Sequence, residues 1–473
     1  MLFNSLVFAI FLPTVFGVYW ALRGSRRWQN GWLLAASYLF YGWWDWRFLG
    51  LILGCSLVNF VAGRLLEATQ RRGARRLLLA ACCVVCLGTL GVFKYYDFFV
   101  ASFAALMRGV GLAWHPAMLH LALPVGISFF TFQAMSYTLD IYFGRLKATR
   151  SLVDFLAFIA FFPQLVAGPI ERASNLLPQF AQERRFEPEA AIQGVALMIY
   201  GLFKKMVVAD TLGLYVDSVF RNYALYQGAT CWIGAVFFAL QIYCDFSGYS
   251  DIARGVARLF GFRLMVNFDR PYLAASFIDF WRRWHISLST WFKDYIYIPL
   301  GGSRAGTART VRNLWIVFLL SGLWHGANWT FLAWGALHAL FQTGAVLRRK
   351  GWPGLAAPRG VLGRVCAILG VDLAVTVAWV FFRAQNWAEL TGVLGKLCAV
   401  PRVGSLMALC AGQGPMTFAA CWVSVGLLAA SYLAPRDCTF RTLRGALGFC
   451  GLYLLAIVFL GAPAGGEFIY FQF

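Results

Sequence analysis

His285, in WRRWHISLSTWFKDYIYIPLGG, and His325, in LSGLWHGANWTFLAWGALHAL, are imidazoles set in a chain that is 60% hydrophobic and 17% aromatic. An ionisable side chain at membrane depth is costly, so its presence there marks a functional site by default. Burial disfavours the charged form of histidine, which leaves a neutral base able to take a proton from a hydroxyl or to accept an acyl group. Asn328 and Trp329 would share the His325 face if a helix resumed after Gly326. The Asn328 amide could then orient the ring or donate to a developing oxyanion. His338 lies thirteen positions beyond His325, on a different helical face, and reads as structural, as do His115 and His120.

The elements that must hold these residues follow from composition. With 473 residues, 19 Trp, 44 Phe and 13% charged residues, the chain falls well below the roughly 25% charged residues of soluble domains. Apolar runs follow one another without a long Pro, Ser or Gly linker. The expected fold class is therefore all-α: a polytopic membrane helical bundle of about 10 to 12 crossings, with re-entrant and interfacial helices around a central channel. Residues 1–473 are read as a single transmembrane domain.

The net charge of +21 does not point to nucleic acid, because the bases sit at the ends of apolar runs and not on one continuous surface. Arg23, Arg26 and Arg27 follow the first run, Arg64 to Arg76 the third, and Arg348, Arg349 and Lys350 the run that contains His325. That distribution marks cytoplasmic loops. Residues 2–22 lack the basic start and cleavage site of a signal peptide and read as a retained first helix. With bases at 23–27 inside, and Arg436, Arg441 and Arg444 inside as well, both termini face outward. The terminal FIYFQF reads as an interfacial aromatic anchor, with docking of a secreted enzyme as the alternative.

Residues 311–347 would be about 55 Å long as one helix, against a hydrocarbon core of about 30 Å. Both ends carry bases, so the run is expected to break into a hairpin or re-entrant pair, with Gly322 and Gly326 as break points and His325 roughly 20 Å deep. A helical wheel through residues 281–295 puts Trp281, Trp284, Leu288, Trp291, Phe292 and Tyr295 on one face and Arg282, Arg283, Lys293 and Asp294 on the other. This describes a helix lying in the interface, with His285 at its aromatic edge. Arg282, Arg283, Lys293 and Arg304 are candidates for meeting phosphates, though a simple positive-inside role accounts for them equally well.

Twelve cysteines fall mostly in apolar runs without ligand spacing and read as small buried hydrophobes, so no metal site is expected. Asp245 and Asp251, in YCDFSGYSD, read as capping or pore-lining carboxylates.

The stretches LPVGISFFTFQAMSYTLDIY, FFPQLVAGPIER, QIYCDFSGYSDIARGVARLFGF, NFDRPYLAASFIDFWRRWHISLSTWFKDYIYIPLGGSR, LWHGANWTFLAWGALH and FIYFQF run from about residue 124 to the end. In order and context they resemble the membrane-bound O-acyltransferase (MBOAT) family. The resemblance implies acyl transfer from a cytoplasmic thioester donor to a hydroxyl, with His325 catalytic and His285 as the second candidate. In the bacterial polysaccharide branch it implies acetyl-CoA as donor and an inner-membrane location. It further implies a secreted or membrane-anchored SGNH-hydrolase-like partner within a polysaccharide synthesis and export complex, acetylating a polymer such as alginate. Arg282, Arg283, Asn328 and Trp329 are the candidate donor-binding residues. A transporter or flippase, which also uses broken helices at the midplane, and a non-catalytic scaffold are the alternatives.

Overall fold

A computed structural model describes the chain except residues 113, 167, 305, 352–359, 400–404, 441, 463–465, 467 and 470–473. The Arg441 and most of the FIYFQF expectations therefore fall outside the described residues. All regular structure among the described residues is helical. Among the described residues, eight helical stretches are long and apolar enough to cross a membrane. One of them, Arg26–Ala68, holds two 20-residue helices, Arg26–Asp45 and Leu49–Ala68, joined by the 3-10 turn Trp46–Phe48. Each has the length that one crossing requires. The chain is a multi-pass membrane protein.

Two compact units are present. The first comprises residues 1–194 and 253–265. Its helix Ile127–Tyr142 is buried almost all round, and its buried polar side chains are bonded within the unit: Gln133 Nε2 donates to the Phe158 carbonyl at 2.8 Å and Thr138 Oγ1 to Asn59 Oδ1 at 2.7 Å. Buried polar groups there are paired with one another: Asn30 Nδ2 donates to Asp154 Oδ1 at 2.7 Å, and Arg184 donates to Asn30 Oδ1 and to the Tyr19 hydroxyl, each at 2.5 Å. Cys82 and Cys86 are buried beside Asn59.

The second unit, residues 195–252 and 266–473, carries both histidines. Its core is aromatic, with Phe280, Trp284, Trp334, Trp379 and Phe382 almost fully enclosed. Two features position the site. Helices Thr307–His325 and Trp329–Gly351 form a tight antiparallel hairpin. At its open end Lys350 Nζ donates to Thr307 Oγ1 at 2.8 Å, so the two basic ends lie together. The break falls after His325 and not at Gly322, which is helical. Gly326 is extended (φ −164°, ψ 153°), a conformation open to any residue. What these glycines supply is space: a Cβ at 322 would lie 2.3 Å from the Phe331 carbonyl oxygen, and one at 326 would lie 2.1 Å from the Phe331 ring.

The second feature departs from the single interfacial helix expected over residues 281–295. Helix Phe277–Arg283 stops, Trp284 is extended, His285 is left-handed (φ 41°, ψ 54°), and helix Ile286–Phe292 begins. The wheel assumed unbroken 100° steps, and the reversal at His285 ends them. Trp284, Leu288, Trp291 and Phe292 are all buried in the protein, as is His285 itself, which is not a boundary residue.

Candidate active site

His285 is 0% exposed. Its Nδ1 lies 3.2 Å from Asn267 Oδ1. The same oxygen accepts from the Ser287 amide at 3.2 Å and the Ser287 hydroxyl at 2.9 Å. An atom that accepts from a backbone N–H must be the amide oxygen, so His285 donates through Nδ1–H and its basic lone pair is on Nε2. Asn267 is itself held, its Nδ2 donating to Ser250 Oγ at 3.3 Å and its carbonyl accepting from the Ile286 amide at 2.9 Å. The Phe246 ring meets the imidazole edge-on at 4.7 Å. His285 lies outside the membrane-crossing helices, and burial pushes its pKa down to about 3.

His325 closes its helix and is 3% exposed. Trp324, Trp334 and Phe382 surround it edge-on, with ring centroids at 5.0, 5.0 and 5.1 Å. Its ring centroid lies 6.4 Å from that of His285. Two residues forty positions apart are thus neighbours in one aromatic enclosure.

A cavity of about 830 Å³ lies next to this pair and is lined by sequence neighbours of each, though by neither imidazole itself. Its wall includes Ile286, which follows His285, and Ser321, one helical turn before His325. Trp281, Leu288, Leu314 and Phe318 make it apolar, while Arg282, Lys293, Arg349 and Lys350 contribute four positive charges. Of the bases singled out from sequence, Arg282 and Lys293 line the cavity; Arg283 and Arg304 do not. Arg283 instead pairs with Asp279 at 3.0 Å and donates to the Asp269 carbonyl. Arg349 and Lys350 come from a run that had marked only the cytoplasmic side.

Asn328 and Trp329 do not share the His325 face, because the helix does not resume directly after Gly326. Asn328 Nδ2 donates to the Gln385 carbonyl at 2.8 Å and its Oδ1 accepts from the Thr330 amide at 3.0 Å, which occupies the amide in starting the next helix. Trp329 is 48% exposed. His338 is fully buried and accepts at Nδ1 from Trp281 Nε1 at 3.3 Å. Asp251 pairs with Lys204 at 2.5 Å, and Asp245 with Lys205 at 2.8 Å. Asn267 and Phe246 are the residues that sequence reasoning passed over. Both lie in stretches that matched the family pattern, but no periodicity or charge sets them apart from their neighbours.

The sequence matches the family model described as MBOAT, membrane-bound O-acyltransferase family, over residues 145–350. A probable alginate O-acetylase of Pseudomonas aeruginosa is 44% identical over 392 residues, covering 82% of this chain and 72% of that protein. A peptidoglycan O-acetyltransferase of Helicobacter pylori is 34% identical, with 83% and 79% covered. A teichoic acid D-alanyltransferase of Streptococcus thermophilus is 30% identical, with 48% and 58% covered. Taken with the helical membrane architecture, these similarities show that the chain belongs to the membrane-bound O-acyltransferase family and is a membrane O-acyltransferase.

Proposed function

We propose that this O-acyltransferase takes acetyl from acetyl-CoA on the cytoplasmic side of the bacterial inner membrane and passes it outward, where a secreted or membrane-anchored SGNH-hydrolase-like partner places it on an exported polysaccharide. The observation that carries this reading is the pair of histidines, 6.4 Å apart, beside an apolar cavity with four bases in its wall. Arg282, Lys293, Arg349 and Lys350 suit the phosphates of coenzyme A, and the apolar wall suits its pantetheine arm. Names of relatives that act on alginate and peptidoglycan support an exported polysaccharide as the final acceptor, with alginate the leading case. Asn328 and Trp329 have no part in donor binding on this reading, and Arg283 serves to hold the His285 loop.

In the transfer, the acceptor hydroxyl oxygen attacks the thioester carbonyl, a C–O bond forms and the C–S bond breaks. His325 takes the hydroxyl proton and returns it to the departing coenzyme A thiolate. His285, held neutral by burial, orients the acceptor through Nε2. A hydroxyl at about 2.8 Å from each imidazole would bridge the pair.

The test is His325→Ala in membranes supplied with labelled acetyl-CoA. Acyl transfer is expected to fall by at least about a hundredfold, the contribution of a positioned proton-transfer group, with donor binding retained. Full transfer by a folded His325→Ala protein would remove the catalytic reading and favour a transporter or scaffold.

A further inference from the structure

The acyl-transfer chemistry makes no use of a second buried polar cluster in the same unit. Lys205 Nζ lies 2.7 Å from Asp210 Oδ1 and 2.8 Å from Asp245 Oδ1, and all three side chains are at most 5% exposed. The cluster sits within the membrane-crossing stretches Pro188–Arg221 and Gly228–Leu259, where ionisable groups are expensive and serve a purpose. Lys205 is carried by a π-helical turn, Phe203–Ala209, the kind of local irregularity often found at functional positions. Two carboxylates share one ammonium, so lone pairs remain to be met; backbone amides near the end of the chain meet some of them, while Asp210 Oδ2 stays buried without a hydrogen-bond partner among the described residues. Ile469 N donates to Asp245 Oδ2 at 2.7 Å, and the Gly466 amide donates to Asp210. Ala462 N donates to the Met206 carbonyl at 3.1 Å.

Phe468 reaches the active site through aromatic contacts. Phe468 is fully buried, 4.4 Å from the Tyr249 ring and 5.7 Å from the Phe246 ring. Phe246 is the ring that meets His285 at 4.7 Å. Phe468 and Ile469 therefore sit in the interior of the unit, where an interfacial anchor had been expected.

We propose that Lys205, Asp210 and Asp245 form an internal receptor for Gly466, Phe468 and Ile469 of the same chain, and that their docking, through Phe468 and Phe246, positions His285. The Gly466 and Ile469 amides, one to each carboxylate, offset part of the cost of burying the cluster. The docked state is thus built into the ionic cluster, and Asp245 and Phe468 are positioning residues. The docking half rests on geometry alone; the link to His285 rests on the acyl-transfer reading.

The experiment uses the full chain in lipid nanodiscs and follows residue-resolved hydrogen–deuterium exchange at the Ile469 amide together with steady-state acyl transfer. Asp245→Ala is expected to speed Ile469 exchange by at least about tenfold and to lower kcat while leaving the donor KM within about twofold, since no cluster residue lines the donor cavity. Asp245→Asn keeps an oxygen for the Ile469 amide and should restore much of both losses, which also covers the case in which Asp245→Ala does not fold. Phe468→Ala leaves the cluster intact, so it should lower kcat with Ile469 still protected. Unchanged Ile469 exchange in a folded Asp245→Ala protein would overturn the receptor, and unchanged kcat in Phe468→Ala would overturn the link to His285. Because exchange is read without turnover, retained activity in His325→Ala would sink the acyl-transfer reading while leaving the exchange result standing.

Discussion

Asn267 decides which nitrogen of His285 is basic. Its oxygen collects three donors, from His285, the Ser287 hydroxyl and the Ser287 amide, and so fixes the imidazole as the Nδ1–H tautomer. Removing the amide leaves the ring free to rotate or change tautomer. Asn267→Ala should lower turnover by on the order of tenfold, the equivalent of one buried hydrogen bond, and by less than His325→Ala. Steady-state kinetics on the two variants in parallel checks the order. Burial also makes His285 a pH-dependent stability element. Its folded pKa is depressed, so the stability it contributes is fully present above about 6.5 and is lost as pH falls toward 3, because only the unfolded chain takes up the proton. Thermal unfolding from pH 7.5 to 5 should show this loss. His285→Asn, which tolerates the left-handed backbone (φ 41°), should weaken it; an identical pH dependence in the variant would assign the loss to other groups.

At the scale of the element, the hairpin Thr307–His325 and Trp329–Gly351 owes its closeness to glycines. A Cβ at Gly335 would lie 2.3 Å from the Phe318 carbonyl oxygen, whereas one at Gly344, on the same helix, would meet nothing within 4 Å. Gly335→Ala should therefore cost about 1–3 kcal/mol by forcing backbones apart. Gly344→Ala should be neutral or stabilise by up to about 1 kcal/mol. Thermal unfolding in detergent separates the two, and equal effects would show that the close approach carries no weight. The hairpin was legible in the sequence because length and charge alone demand a break: an apolar run too long for one crossing, with bases at Arg309, Arg312 and Arg348 to Lys350. The break at His285 was not legible. WRRWHISLS keeps helical spacing through the reversal, and only tertiary packing of Trp284 and His285 into the core stabilises the left-handed residue between two short helices. Asn328 misled for a similar reason: its spacing from His325 fitted one continuous helix, while the extended Gly326 freed it to start the next.

For the whole molecule, the distribution of charge argues for a direction of transfer. The bases expected from the sequence to lie on the cytoplasmic side also furnish the cavity wall: Arg349 and Lys350 end the hairpin, Lys350 is hydrogen-bonded to Thr307 at the opposite helix start, and Arg282 and Lys293 flank the His285 loop. On the proposed function, a donor carrying phosphates would be met from the side that holds the excess of Arg and Lys. Replacing Arg282 and Arg349 together by Gln should raise the donor KM by on the order of tenfold, about 1.4 kcal/mol, with little change in kcat, because phosphate contacts far from the thioester bind ground and transition states alike. The same reasoning predicts the sidedness. Sealed inside-out vesicles should transfer label from added acetyl-CoA, and right-side-out vesicles should not until they are permeabilised. Transfer of equal rate in both orientations would place the cavity mouth on neither side alone, and the link between the basic hairpin end and donor entry would then be lost.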